Sequence, residues 1–254
     1  MSNLGASVGW GVLVGASLLA GAVVAVVLKL PERLAALVTS FGGGILVAAV
    51  AFELVPEADE GAGAGVTTLG LLAGMVVFVA ADAWLTRDPG MEAMRRSGHA
   101  AAAGREMPVH HHAEAARGEA IAAGLFVDGV PESIALGLTI AEGEIGLALL
   151  VGVVVGNVVE AYGAAQPIAS GGHTRRFAVG LLGGIGLALA CATLLGGTVL
   201  ADASPELIGG AQAVAAGAVL AVISISIIPH AFEEVSGLVA AATVLGFVAG
   251  YLLS

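Results

Sequence analysis

The sequence predicts an all-α integral membrane protein with eight transmembrane helices, and three observations carry that prediction. Of its 254 residues, 58% are hydrophobic and only 11% charged, with a mean hydropathy of +0.99. A soluble domain carries about a quarter charged residues, and a chain of this length could not bury so much apolar surface in a soluble fold. Eight apolar runs reach the length of about 20 residues that a helix needs to cross a hydrocarbon core about 30 Å thick. All nine basic residues fall in alternate connections between those runs.

The runs lie at roughly 6–29, 35–56, 64–85, 118–140, 144–169, 177–200, 206–229 and 236–254. The first lacks a basic leader and is too long for a signal-peptide core, so it reads as a retained helix. Turn and polar residues mark most joints: Pro31 with Glu32, Pro56 with Glu57, Glu142 to Glu144, and Ser204 with Pro205. Residues 86–117 form the longest connection, a loop holding Gly90, Gly98, Gly104 and the tract His110, His111 and His112. The 39 glycines sit inside apolar runs, where small residues let helices approach closely in lipid. The single cysteine, Cys191, forms no intrachain disulfide and leaves the redox compartment open.

Charge sets the topology. Lys29 and Arg33 follow the first run, Arg87, Arg95, Arg96, Arg105 and Arg117 the third, and Arg175 and Arg176 the fifth. The second, fourth and sixth connections carry only acids, among them Glu57, Asp59, Glu60, Glu142, Glu144, Asp202 and Glu206. By the positive-inside rule the odd connections are cytoplasmic and both termini extracytoplasmic, in a protein of the cytoplasmic membrane. The net charge of −11 reads as a solvated acidic exterior.

A repeat relates the second and seventh runs. Gly44 to Glu60 resembles Gly217 to Glu233, with Gly44, Ala48, Pro56, Ala58 and Glu60 matching Gly217, Ala221, Pro229, Ala231 and Glu233. Because those runs cross in opposite directions, the expected arrangement is 3+2+3, the first three helices repeated in inverted form by the last three.

Acids inside apolar runs require a reason, since a charge at the bilayer centre costs at least about 2.5–3.5 kcal/mol. Asp128 and Glu132 in the fourth run are four apart and share a helix face. Pro131 cannot donate to the carbonyl of Val127, which frees an oxygen at the same depth. Asn157 and Glu160 in the fifth run again share a face. Together these are oxygen donors for a hard or borderline cation; protonation, or hydrogen bonds to neighbours, is the alternative for each acid. Glu53, His110, His111, His112 and His230 are accessory candidates: Glu53 at an outer entrance or the interface, the histidine tract as a weak cytoplasmic site, and His230 with Glu233 and Glu234 at a helix end. No nucleophilic triad, phosphate-binding loop or nucleic-acid surface stands out, and the chain does not read as an enzyme.

These features resemble the ZIP (Zrt/Irt-like) metal transporters, close to their GufA-like bacterial and archaeal branch, over nearly the whole chain. The stretches Phe41 to Ala58 and Ala216 to Ala231 are similar to that family's second and seventh helices. Its fourth helix usually reads His-Asn-x-Pro-Glu-Gly; here Asp128, Gly129, Val130, Pro131, Glu132 and Ser133 stand there. Its fifth has His or Gln, then Asn or Asp, then x-Pro-Glu-Gly; Gly156, Asn157, Val158, Val159, Glu160 and Ala161 keep the amide and the acid. A sixth-helix Glu of some members would fall near Leu189.

The resemblance implies a transporter that carries a divalent cation (zinc, iron or manganese) into the cytosol as its substrate, by an elevator-like motion and without an organic cofactor. Asp128, Glu132, Asn157 and Glu160 would be the ligands, and the lost imidazole favours harder ions such as Mn²⁺, Fe²⁺ or Mg²⁺. The metal ion and lipid are the expected partners, with a homodimer left open. The alternatives are a non-transporting ZIP-like sensor or partner subunit, and a transporter of a non-metal cation.

Overall fold

The computed structural model describes residues 2–28, 31–85, 111–142, 146–199 and 203–254, and among them the only regular structure is helical. Helix α1 spans Ser2–Val27, α2 Glu32–Ala49, α3 Val55–Leu85, α4 His111–Glu142 and α5 Leu147–Ser170. They are followed by α6 at Arg175–Thr198, α7 at Pro205–Val222, α8 at Ile228–Val235 and α9 at Leu238–Leu253. Wider π-helical turns, Val50–Leu54 and Ile223–Ile227, join α2 to α3 and α7 to α8 without a break.

Among the described residues, six segments are long and apolar enough to cross a membrane. One of them, Arg33–Ala81, is 49 residues long, and Leu238–Leu253 is a shorter apolar helix. Large apolar side chains stay exposed on the outward faces, such as Leu69 and Val77 of α3, Leu187 and Leu195 of α6, and Leu245 and Leu252 of α9. Those faces suit lipid, and the chain has the character of a multi-pass membrane protein.

Several predicted ends move. The second run does not stop at Pro56; helix continues to Gly63, whose φ of 77° breaks α3. The seventh run likewise passes Pro229 and ends at Ser236, φ 51°. The physical reason is the same at both sites. In an α-helix a proline ring collides with the carbonyl four residues back, and the π-turn just before it widens the ladder, with Val55 N–H bonded to Val50 O and Ile228 N–H to Ile223 O. The fourth helix begins at His111 rather than near residue 118, because Ala113 to Arg117 are strong helix formers. His110 and the basic residues Lys29, Arg87, Arg95, Arg96 and Arg105 lie outside the described residues.

The helices fall into two groups. α1, α4, α5 and α6 pack on one another, chiefly α1 on α5 and α6, and α4 on α5 and α6. In the other group α3 packs along α7, α9 along α2, and α8 against α2. The groups meet along a seam formed mainly by α2 with α5 and by α4 with α7. Glycine sets the closeness of the packing: a Cβ on Gly15 would stand 2.9 Å from Gly186 O, and one on Gly186 2.8 Å from Gly15 O. Only helices that lack side chains at the crossing point can meet there.

Backbone features recur at one constant spacing along the chain. The starts of α2 and α7 (32 and 205), the π-turns (50 and 223), the prolines (56 and 229) and the left-handed breaks (63 and 236) all keep it. The close approaches pair in the same way: Gly44 meets the backbone of Thr243, and Gly217 that of Leu71.

Candidate functional site

Helices α4 and α5 are consecutive, joined by a short connection, and pack against each other as a hairpin whose buried face carries the polar residues. On α4 the helix runs straight through Pro131. That proline has no N–H to donate to the carbonyl of Val127. Glu132 follows and is only 6% exposed. Ser133, fully buried, has no hydrogen-bond partner for its hydroxyl. Asp128 lies on the helical backbone one turn before Glu132, but its side chain lies outside the described residues.

On α5, Asn157 is 2% exposed and its Nδ2 has no hydrogen-bond partner. Glu160 is half-buried one turn further on, and Tyr162 is buried beyond it. A buried amide with an unused donor is costly in a low-dielectric interior. Among the described residues no three His, Cys, Asp or Glu side chains come together closely enough to share a metal ion. The predicted set needs Asp128 as its third acid, and that side chain is not among them.

Gly129 contributes a contact that the sequence did not announce. A Cβ at that position would stand 2.5 Å from Leu189 Cδ1, and Leu189 is completely buried. Gly129 and Leu189 therefore make a close apolar contact between α4 and α6. Glu132, Asn157 and Glu160, with Asp128, are the predicted oxygen donors on the hairpin.

The accessory candidates are dispersed. Glu53 lies in the first π-turn, 9% exposed, and its carboxylate accepts hydrogen bonds from two backbone N–H groups of α5, Ala148 to Oε1 at 3.2 Å and Leu149 to Oε2 at 3.2 Å. It is engaged in holding two helices together rather than lining an open entrance. His111 and His112 belong to the first turn of α4 and His230 to α8, so none lies in a loop; their side chains, with those of Glu233 and Glu234, are outside the described residues.

Sequence reasoning passed over Gln212. It is fully buried on α7 and donates from Nε2 to Glu57 Oε2 at 2.7 Å. Glu57, by sequence an acid of the second connection, is instead a residue of α3. The available signal was an uncharged amide alone in an apolar run, the same signal that marked Asn157. Ser224 bonds back to Leu220 O, the local role expected of it. The sequence matches no protein-family model and no curated protein.

Proposed function

We propose that this chain is a ZIP-like transporter that moves a divalent metal cation of the zinc, iron or manganese class into the cytosol, through the carboxylate and amide oxygens of the α4–α5 hairpin. The observation that carries the reading is the placement of Glu132 and Asn157, both buried, on the two packed helices of one hairpin, with Glu160 one turn from Asn157. An intramembrane acid marks an ion or proton path by default, and a cation supplies the charge that lets several acids share a dry interior. Imidazole is missing from the motif positions, which favours harder ions such as Mn²⁺ and Fe²⁺ over a strict zinc site. No organic cofactor and no catalytic step enter this reading.

In it, the helices make eight crossings. A 49-residue helix would be about 73 Å long, more than twice a bilayer core; the break at Gly63 divides it into a second and a third crossing. Helices α7 and α8 make the seventh, and α9 the eighth. The constant spacing between the paired π-turns, prolines and breaks supports an inverted repeat of the first three crossings by the last three, around a central hairpin. Arginine placement puts both termini outside the cytoplasm. Such repeats move as rigid groups about a site near the midplane, and here the seam between the helix groups is where that motion would occur.

The test is uptake of Zn²⁺, Mn²⁺, Fe²⁺, Co²⁺, Cd²⁺ and Mg²⁺ into proteoliposomes by the wild type and by Glu160→Ala. Saturable flux of at least one metal, lost in the variant, is the expected outcome. No flux of any metal from folded, inserted protein would overturn it. The Gly129–Leu189 contact favours one second reading, a ZIP-like protein whose reduced site senses a metal without carrying it. Metal binding that persists without flux would select that reading.

A further inference from the structure

Helix α5 begins without a cap of its own. Gly146 at its N-cap position has no side chain to offer, and no acid stands in the first turn. By contrast α6 and α7 are capped locally, by Thr174 Oγ1 on Phe177 N–H at 3.1 Å and by Ser204 Oγ on Leu207 N–H at 3.4 Å. The acceptor for α5 comes from across the seam. Glu53 reaches over from the π-turn after α2 and takes the N–H groups of Ala148 and Leu149, one on each oxygen. A carboxylate at a helix N-terminus satisfies donors that the helix cannot satisfy itself and meets the positive end of its dipole.

The surroundings are fitted to that bond. A Cβ at position 146 would stand 3.3 Å from Glu53 Oε2 and 3.1 Å from Thr139 Cγ2, so glycine leaves the carboxylate its path. Next to Glu53, Phe52 points the other way and packs against the rings of Tyr251 and Phe247 of α9, with centroids 5.3 and 5.8 Å away. The π-turn is thus held by α9 on one side and by α5 on the other. At the place of Glu53 in the second π-turn, next to its last residue, the sequence has Ser226. A serine has one short, uncharged acceptor and cannot take two successive N–H groups as a carboxylate does.

We infer that Glu53 is a latch between the two helix groups: it ties α5 to the π-turn after α2 at the end of the seam where α5 begins. The seam then opens at the α5 end only after two hydrogen bonds to backbone N–H groups are surrendered. The inference rests on the transporter reading only for its consequence for flux.

The chain has a single cysteine, so Cys191→Ser gives a background for reporter thiols in the full-length protein. Leu149→Cys reports the latched end, and Ala122→Cys, also buried, reports the far end of the same hairpin. Both are read by the rate of labelling with a water-soluble maleimide in lipid nanodiscs, which leave both faces accessible. Glu53→Ala is expected to speed labelling at 149 by about tenfold or more, the equivalent of one hydrogen bond, and to leave 122 unchanged. Glu53→Gln, which keeps one acceptor oxygen, should fall between. Unchanged labelling at 149 would overturn the latch, and so would equal acceleration at both ends, which is general loosening. If labelling shifts as expected while no metal is carried, the latch stands and the transporter reading fails; flux with unshifted labelling is the reverse.

Discussion

The two π-turns share one backbone and differ in chemistry. In the first, Val50 and Leu54 are buried and Phe52 is 43% exposed; in the second, Ile223 and Ile227 are buried and Ile225 is 44% exposed. Each follows an 18-residue helix, precedes a proline and leads to a left-handed break. Yet the first carries Glu53, bound to α5, where the second carries serine. A similar contrast separates Thr39 from Gln212, which occupy matching places in α2 and α7. Thr39 turns back on its own helix at Ala35 O, whereas Gln212 reaches another helix at Glu57. The lesson is that sterics maintain the repeat while polar side chains break its symmetry. Proline, glycine and apolar volume dictate where the helix widens and ends; the few polar residues decide which helices are tied together.

The comparison can be broken most severely at the glycine crossings. Gly44→Val and Gly217→Val each drive a side chain into a backbone, that of Thr243 or of Leu71. Overpacking of this kind costs about 1–3 kcal/mol or more, and no rotamer avoids the clash. Both variants should lose monodisperse folded protein, measured by size-exclusion chromatography in detergent. A large loss in one and none in the other would show that the two halves are not packed alike.

Gln212→Leu comes next. It removes the amide that pairs with Glu57 in the interior, at a cost of about 1–3 kcal/mol, whereas Thr39→Val should cost well under half of that because only a local back-bond is lost. The difference should be visible as a larger fall in Tm for the glutamine variant, and equal falls would remove the asymmetry. The smallest effect concerns helix starts. Ser204 caps α7, while the equivalent Pro31 supplies α2 with no side-chain cap. Ser204→Ala should lower stability by about 1 kcal/mol. Pro31→Ser should change little, because the acceptor gained offsets the lost rigidity of proline in the unfolded chain. Thermal unfolding of the pair checks both.

Much of the fold was legible before any coordinates. Hydropathy located most of the helices, because repeated apolar runs of about 20 residues match the thickness of a bilayer core. The repeat from Gly44 to Glu60 was legible because proline and glycine act through the backbone, wherever the neighbours are. Helix ends were less so: Pro56 and Pro229 read as stops, since the π-turn that admits them is invisible to a pattern of side chains. The site was half legible. Glu132, Asn157 and Glu160 stood out as polar groups in apolar runs, and Glu132 and Asn157 are buried on α4 and α5.

By itself the sequence determined that this chain is helical, apolar and suited to a membrane, and which few residues could hold a charge there. Those are properties of each segment taken alone, set by transfer free energy and by covalent geometry. Only the tertiary structure decided that Leu189 fills the space beside Gly129, that Gln212 meets Glu57, and that Glu53 caps a helix 95 residues further along. Each of these depends on which helices lie side by side, and contact between residues far apart in the chain is settled by packing, which no single segment encodes.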